Sequence, residues 1–168
     1  EGERYVLADW REREYPDPGR YPVGIPGSDQ RLSRLILEVY EGQVESGQEF
    51  FALDEIFLRS YYKFERVEQV HCGGSFNSLP FWSSEYLVDQ KTSLGLPLLP
   101  DASVSNDLVL RFAETVDATV QVELDLLENR EVDSIVLHPA LSPGSIFVPG
   151  FGFPGAVEVD FLGQTDSG

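Results

Sequence analysis

Two residues with metal-binding or nucleophilic side chains stand side by side in the chain, His71 and Cys72. An imidazole beside a thiol could ligate zinc or form a nucleophilic pair. However, neighbouring side chains on a strand point to opposite faces, and the only other histidine of the chain is His138. A zinc site needs more converging ligands, so we expect Cys72 to be a small buried apolar residue and predict no metal and no cofactor.

The chain has 29 carboxylates, and pairs of them could act as acid and base in glycoside hydrolysis. With so many acids such pairs arise by chance, and strand patterning places most of these acids on solvated faces. Asp101, Asn106 and Asp107 lie in a turn-like segment and offer calcium ligands, but without the spacing of an EF-hand loop. Because no nucleophile-elbow, Walker or dinucleotide-binding motif is present either, we predict that the chain is not an enzyme.

The elements that must position these residues are strands. Thr115–Glu128 alternates apolar and polar residues over the eleven positions from Val116 to Leu126, which is the period of a strand with one buried face. Ala156–Leu162 repeats the pattern in a shorter form. In this second segment the apolar residues are predicted to point inward and the acids outward: Val157, Val159 and Phe161 against Glu158 and Asp160.

Further strand candidates are bounded mostly by Gly, Pro, Ser, Asn or Asp. They are Arg4–Trp10, Leu35–Glu41, Phe81–Val88, Leu108–Ala113, Val132–His138 and Ser145–Val148. Leu53–Val70 fits a helix in part, but its aromatic residues favour a strand. With the two alternating segments, this makes about eight strands.

Two segments are rich in proline and glycine, Tyr15–Ser28 and Pro139–Gly155. Neither is expected to pair as an interior strand, because proline lacks the backbone N–H that a sheet needs. Such stiff, extended chain suits contact with a neighbouring subunit, and residues 1–30 are predicted to include an extended N-terminal arm. Ordinary long loops are the alternative.

Aromatic residues are concentrated in or beside these irregular segments. Three phenylalanines lie among glycines and prolines in residues 147–155, and Pro80 precedes another aromatic pair. Aromatic side chains on loops commonly mark contact surfaces, although they can also plug the end of a barrel. The predicted interface residues are Tyr15, Tyr21, Phe81, Trp82, Phe147, Phe151 and Phe153.

Length and composition define the class of the protein. A chain of 168 residues with 42 % hydrophobic residues is expected to form one domain, residues 1–168, with a substantial core. Its net charge is −17, with ten arginines but only two lysines. This charge disfavours direct nucleic-acid binding and favours a solvent rich in salt ions, which screen the repulsion. No apolar run approaches the roughly 20 residues that span a bilayer.

About eight short strands with long Pro/Gly-rich loops and no extended helical periodicity predict an all-β domain of two sheets, a β-sandwich or barrel. A single jelly roll is the favoured topology. An immunoglobulin-like sandwich is less suitable, because its Cys…Trp…Cys spacing needs two cysteines.

In size, strand content and charge the chain resembles the small major capsid proteins of halophilic archaeal viruses with an internal membrane. Members of that family are single jelly-roll subunits of an icosahedral shell. The resemblance implies a virion protein that assembles with copies of itself and with a second capsid protein, and that has no enzymatic activity.

The alternative function is a secreted, extracellular binding module for carbohydrate or a surface ligand. In this interpretation Trp10, Trp82 and Tyr86 form a stacking platform on one face of the sandwich. A cupin-like enzyme is a third possibility, but two histidines 67 positions apart do not supply its usual metal ligands.

Overall fold

The structure is a computed structural model of the 168-residue chain. It describes residues 3–11, 22–27, 31–45, 47–61, 63–72, 84–91, 112–115, 120–140, 153 and 156–163. These residues form eleven strands and one short 3₁₀ turn, Ser84–Leu87. The strands are β1 Glu3–Asp9, β2 Val23–Pro26, β3 Arg31–Glu41, β4 Gln43–Glu45, β5 Gln48–Ser60, β6 Lys63–Glu65, β7 Gln69–Cys72, β8 Phe112–Thr115, β9 Val120–Glu131, β10 Ser134–Pro139 and β11 Ala156–Gly163.

The strands form two antiparallel sheets. The first has the order β1-β11-β3-β9-β7, and the second runs β2-β10-β5, with β4, β6 and β8 also paired to β5. A sheet that is apolar on one side must bury that side, and two such sheets do so against each other. The predicted all-β architecture of two sheets is therefore confirmed.

The core comes from alternating residues of the central strands. From Val120 to Leu126 in β9 the apolar residues are buried, while the polar residues between them are only partly covered. The neighbouring strands β3 and β11 contribute partners in register, so that Leu37 lies between Val122 and Val159. These three side chains are at most 2 % exposed. The side of β9 that the period-two pattern assigned to the core is thus correct.

Strand β5 differs because both of its faces are covered. All eight residues from Phe51 to Leu58 are buried, although this run contains two acids. Ile56 and Leu58 point into the core, opposite Leu137 and Ile135 of β10, so alternation turns Glu55 and Phe57 to the other side.

Strand β2 lies within the Pro/Gly-rich segment that was expected to form no interior strand. It is found where a proline is tolerated, at an edge, and it pairs with β10. Gly27 continues the contact, donating its N–H to the Asp133 carbonyl at 2.6 Å. A side chain at Gly27 would collide with the Val132 carbonyl, so the close approach requires glycine.

Three predicted elements need correction or refinement. Leu53–Val70 contains strands, as favoured, but it is divided among β5, β6 and β7. The described part of Phe81–Val88 contains a 3₁₀ turn and no strand. Leu87 is buried there, but the turn shows no alternation of buried and exposed side chains that would be typical of a strand. Thr115–Glu128 is not one strand: Thr115 ends β8 in the second sheet, whereas β9 belongs to the first.

The predicted N-terminal arm is described only in part. Within residues 1–30, Glu3–Asp9 and Val23–Pro26 are strands of the two sheets, and residues 12–21 and 28–30 lie outside the described part. The strand candidate Ser145–Val148 and the first four residues of Leu108–Ala113 lie outside the described residues.

Candidate functional site

Most of the predicted interface residues lie outside the described part of the chain. This applies to Tyr15, Tyr21, Phe81, Trp82, Phe147 and Phe151. Phe153 is described, and it is only 4 % exposed and packs in the hydrophobic core. Its ring therefore contributes to the interior of its own sandwich, which agrees with the plug alternative for this residue.

The outer side of the first sheet carries rows of polar side chains. One row crosses all five strands in register, from Val6 through Asp160, Ile36 and Glu123 to His71. The prediction placed Asp160 on a solvated face, but its side chain is 1 % exposed. The side chain points to the predicted side of the sheet. The predicted solvent exposure is wrong, because neighbouring side chains cover the carboxylate.

Arg4 covers Asp160 from the edge strand β1. Its guanidinium forms ion pairs with Asp160 and, at 2.8 Å, with Glu38. The Arg4 hydrogen bond, together with one from the Tyr40 hydroxyl at 2.7 Å, holds the pKa of Glu38 below its usual range. Gln121 also donates to Glu38, at 3.1 Å. One arginine thus joins acids from two strands.

Arg11 repeats this arrangement one step along the sheet. It forms two hydrogen bonds with Asp9, at 2.8 and 2.6 Å, and an ion pair with Glu158 at 2.9 Å. Its guanidinium also lies over the Tyr40 ring, 5.5 Å from the centroid. Burial and the neighbouring Asp160 raise the pKa of Glu158, which is a second acid predicted to be solvated and found buried.

The second sheet buries a carboxyl group in another way. Glu55 is 0 % exposed, and its Oε1 accepts the Gln90 backbone N–H at 3.0 Å. Burial, reinforced by the Asp89 and Asp54 carboxyls, raises the pKa of Glu55 to about 11. Glu55 is therefore protonated at neutral pH. Burial also raises the pKa of the neighbouring Asp89, so the two carboxyl groups influence each other's protonation.

The structure places the two histidines of the chain in different sheets. His71 and Cys72 lie in β7 of the first sheet, whereas His138 lies in β10 of the second. His138 packs edge-on against Phe57 at 5.1 Å, and burial lowers its pKa. No group of three or more His, Cys, Asp or Glu residues suited to a metal occurs in the part of the chain that the structure describes. The residues considered for calcium, Asp101, Asn106 and Asp107, lie outside it, as does the side chain of Cys72.

A groove of about 660 Å³ lies where β1 and β2 approach each other. Its lining includes the half-buried Trp10, the Asp9–Arg11 pair and the exposed backbone of Gly24. The proposed stacking partner Tyr86 lies in the 3₁₀ turn, which contacts β5, β7 and β8. Trp82 lies outside the described residues. Of the three residues proposed for a stacking platform, Trp10 lines this groove.

A second, more polar cavity of about 350 Å³ lies at the other end of the sandwich. Glu65 is buried there, accepting a hydrogen bond from the Ser60 hydroxyl and one from Arg130, both at 2.9 Å. Arg31 and Glu131, which face each other across β3 and β9, also line it.

Sequence reasoning missed the two buried carboxyl arrangements. A signal for Glu55 was present, because Asp54 and Glu55 interrupt a run of apolar residues that would otherwise be continuous from Phe50 to Leu58. Chemically, the Arg4 and Arg11 clusters are ion-pair networks that tie strands together, and the Glu55–Asp89 pair is a proton-dependent contact between β5 and the segment after the 3₁₀ turn.

No protein-family model, curated protein or solved structure matches the chain. Among the described residues, no helix is long and apolar enough to cross a membrane.

Proposed function

We propose that this protein is a structural virion subunit, a single jelly roll that assembles with copies of itself and with a second capsid protein into an icosahedral shell. The role is mechanical and not catalytic. The observation that carries the proposal is the pairing of the strands.

A jelly roll results when an antiparallel hairpin of eight strands folds over on itself. The first strand then pairs with the eighth, the second with the seventh, the third with the sixth and the fourth with the fifth. When the short strands β4 and β6 and the edge strand β7 are set aside, eight strands remain. Their pairs are β1–β11, β2–β10, β3–β9 and β5–β8, all antiparallel.

Two further pairings complete the pattern. The eighth strand of the set, β11, also pairs with the third, β3, and the seventh, β10, also pairs with the fourth, β5. The four hairpin pairs thereby close into two four-stranded layers. This agreement supports the jelly-roll topology, and jelly rolls are common in viral capsids.

The charge of the chain supports the environment that the proposal implies. A net charge of −17 destabilises a compact subunit in dilute buffer and keeps free subunits apart. At molar salt the Debye length falls to about 3 Å, which screens this repulsion. Assembly and stability are therefore expected to increase together with salt.

Light scattering of the purified protein from low to molar KCl, followed by electron microscopy, tests the proposal. Large, uniform particles at high salt, with or without a second protein from the source particles, are the expected result, together with a melting temperature that rises with KCl. A chain that stays monomeric at every salt concentration with both components present, and whose melting temperature does not rise, contradicts the proposal.

The groove at Trp10 favours a second candidate function, a carbohydrate-binding module. Its volume lies in the range of ligand sites, and an indole beside a carboxylate and a guanidinium suits a sugar ring with hydroxyls. Binding of the monomer to a polysaccharide panel, abolished by Trp10→Ala, would support it. Gly24→Trp offers a second test, because a Cβ at Gly24 meets no atom within 4 Å and the new ring would fill the groove without disturbing the fold.

A further inference from the structure

One end of the sandwich has a charge balance unlike that of the whole chain. The tip of the β5–β6 hairpin, the end of β9 and the turn into β10 meet there. The described side chains around this end include five arginines and six carboxylates, an excess of one acid, whereas the whole chain has 29 carboxylates against 12 cations. They are Arg31, Arg34, Arg59, Arg66 and Arg130, with Glu65, Glu68, Asp125, Glu128, Glu131 and Asp133.

Two exposed hydrophobic side chains lie at this same end. Tyr61, at the hairpin tip, is 77 % exposed, and Leu127, at the end of β9, is 61 % exposed. The residues next to them, Ser60 and Glu128, line the same polar cavity. The described residues include one other large hydrophobic side chain of similar exposure, Val6, which lies beside Asp160 on the outer side of the first sheet.

Leu127 is unusual in its backbone as well as in its exposure. Between Leu32 and Arg34 the register of β3 against β9 shifts, so that residues 126–129 bulge opposite Ser33 alone. Leu127 has φ = 63° in this bulge, a left-handed conformation that disfavours a bulky side chain. The Asp125 carboxylate holds it there by accepting the Leu127 N–H at 2.8 Å. A glycine would fit this backbone better and would expose no apolar surface.

The base beneath these two side chains is well ordered by hydrogen bonds. The Arg130 guanidinium pairs with the buried Glu65 at 2.9 Å, and the Ser60 hydroxyl donates to the same carboxylate. The hairpin that carries Tyr61 is thereby tied to the strand that carries Leu127. Apolar anchors on a fixed base are the arrangement that favours association, because little conformational freedom is lost on contact.

We propose that this surface, defined by Tyr61, Leu127 and the polar cavity that their neighbours Ser60 and Glu128 line, is where one copy of the chain contacts a second copy. The inference deepens the assembly function proposed above and rests on it. Elsewhere two copies present net negative charge to each other, and this repulsion opposes close approach. At the Tyr61–Leu127 surface that repulsion is weaker, and exposed arginines such as Arg31 and Arg66 are available to the acidic exterior of the neighbour.

Leu127→Gly tests the surface without endangering the fold, because it relieves the left-handed strain while removing the apolar contact. We expect the monomer to melt at the same temperature or higher, and self-association in molar KCl, measured by sedimentation, to weaken at least tenfold. Tyr61→Ser should act in the same direction. Val6→Ser is the matched control, an exposed apolar residue on another face, and should leave association unchanged.

The outcomes separate this inference from the proposed function. If the wild-type chain assembles and the Leu127 and Tyr61 variants assemble equally well, the surface is wrong and assembly stands. If Val6→Ser weakens association as much as Leu127→Gly, the surface is again wrong, because the effect is not local. A wild-type chain that never associates, alone or with its partner protein, overturns both.

Discussion

Asp160 and Glu55 are both buried acids, one in each sheet, and the molecule compensates them in opposite ways. Asp160, in the first sheet, is covered by the Arg4 guanidinium, which also pairs with Glu38. Glu55, in the second, accepts the Gln90 backbone N–H and is instead held in its protonated form, because burial and the neighbouring acids raise its pKa to about 11. The first solution keeps the charge and needs a cation, whereas the second removes the charge and needs a pH below the raised pKa.

This difference has a consequence for pH dependence. The lowered pKa of Glu38 contributes stability above its unfolded value, and that stability is lost as the pH falls through the folded value. Glu55 behaves in the reverse sense, because the folded state binds a proton that the unfolded state has released. Between its unfolded pKa and about 11, the stability that Glu55 contributes falls as the pH rises.

The largest loss of stability is expected for a buried carboxylate that has neither an arginine partner nor a site that keeps it protonated. Val122→Asp places a carboxylate on the core side of β9, opposite Leu37 and with only apolar neighbours in register, so we expect the chain not to fold. Circular dichroism of the purified variant measures this. Glu123→Lys, one position along and on the outer side, should fold normally. Equal behaviour of the two variants would mean that the faces of β9 are assigned wrongly.

Arg4→Ala should destabilise the first sheet by about 2 kcal/mol. This lies between the cost of losing an exposed ion pair and that of a fully buried one, because Asp160 is buried while Arg4 is partly exposed. Urea unfolding at neutral pH and molar KCl provides the measurement. Arg66→Ala is the matched control, since its pair with Glu68 is at the surface, and it should change the stability little. A loss for Arg4→Ala no greater than for Arg66→Ala would show that Asp160 does not depend on Arg4.

Glu55→Gln should remove part of the pH dependence of the second sheet. The wild-type protein is expected to lose up to about 1.4 kcal/mol per pH unit through Glu55 as the pH rises from 6 to 9, whereas an amide has no proton to lose. Unfolding free energies across this range should therefore be flatter for the variant. Glu128→Gln removes one exposed charge and serves as the control. If the slopes of the Glu55 variant and of the wild type coincide, the assignment of a protonated Glu55 in the folded state is wrong.

The smallest effect is expected for Glu38→Gln, about 1 kcal/mol at neutral pH, because the variant keeps part of the hydrogen bonding from Tyr40 and Gln121. The difference from the wild type should disappear as the pH falls below the lowered pKa of Glu38, where the wild-type carboxylate is protonated too. Acid unfolding curves of both proteins measure this. A difference that persists unchanged in acid would indicate a packing effect instead of an ion pair.

Local pattern predicted the strands well and the buried charges poorly. Period two located β9 and β11 because alternation is a property of neighbouring residues. The same alternation is present in β2, where Val23 and Ile25 are buried between exposed positions. The neighbouring prolines led us to exclude a strand there. The burial of Asp160 depends on Arg4, 156 residues away in the sequence, and no local rule connects them.

The Glu55–Asp89 pair was beyond prediction for a related reason. The pair forms only if the segment after the 3₁₀ turn lies beside β5. The turn Ser84–Leu87 is too short to show a hydrophobic period, so its sequence does not indicate where it packs. The seven predicted interface residues were chosen by composition, and the structure describes Phe153 alone among them. Composition identified an aromatic segment but could not say that this ring turns inward.

The position of β11 between β1 and β3 has a consequence for how the protein is made. During synthesis β1 leaves the ribosome before every other strand, and the strand it pairs with, β11, follows about 150 residues later. At typical rates of translation this delay is roughly 8 to 30 s. Until β11 is made, β1 lacks its strand partner in the first sheet, and β3 lacks the partner on one of its two sides. The growing chain therefore depends on its last described strand to close the first sheet, and folding of this domain is expected to be completed only after synthesis has passed Gly163.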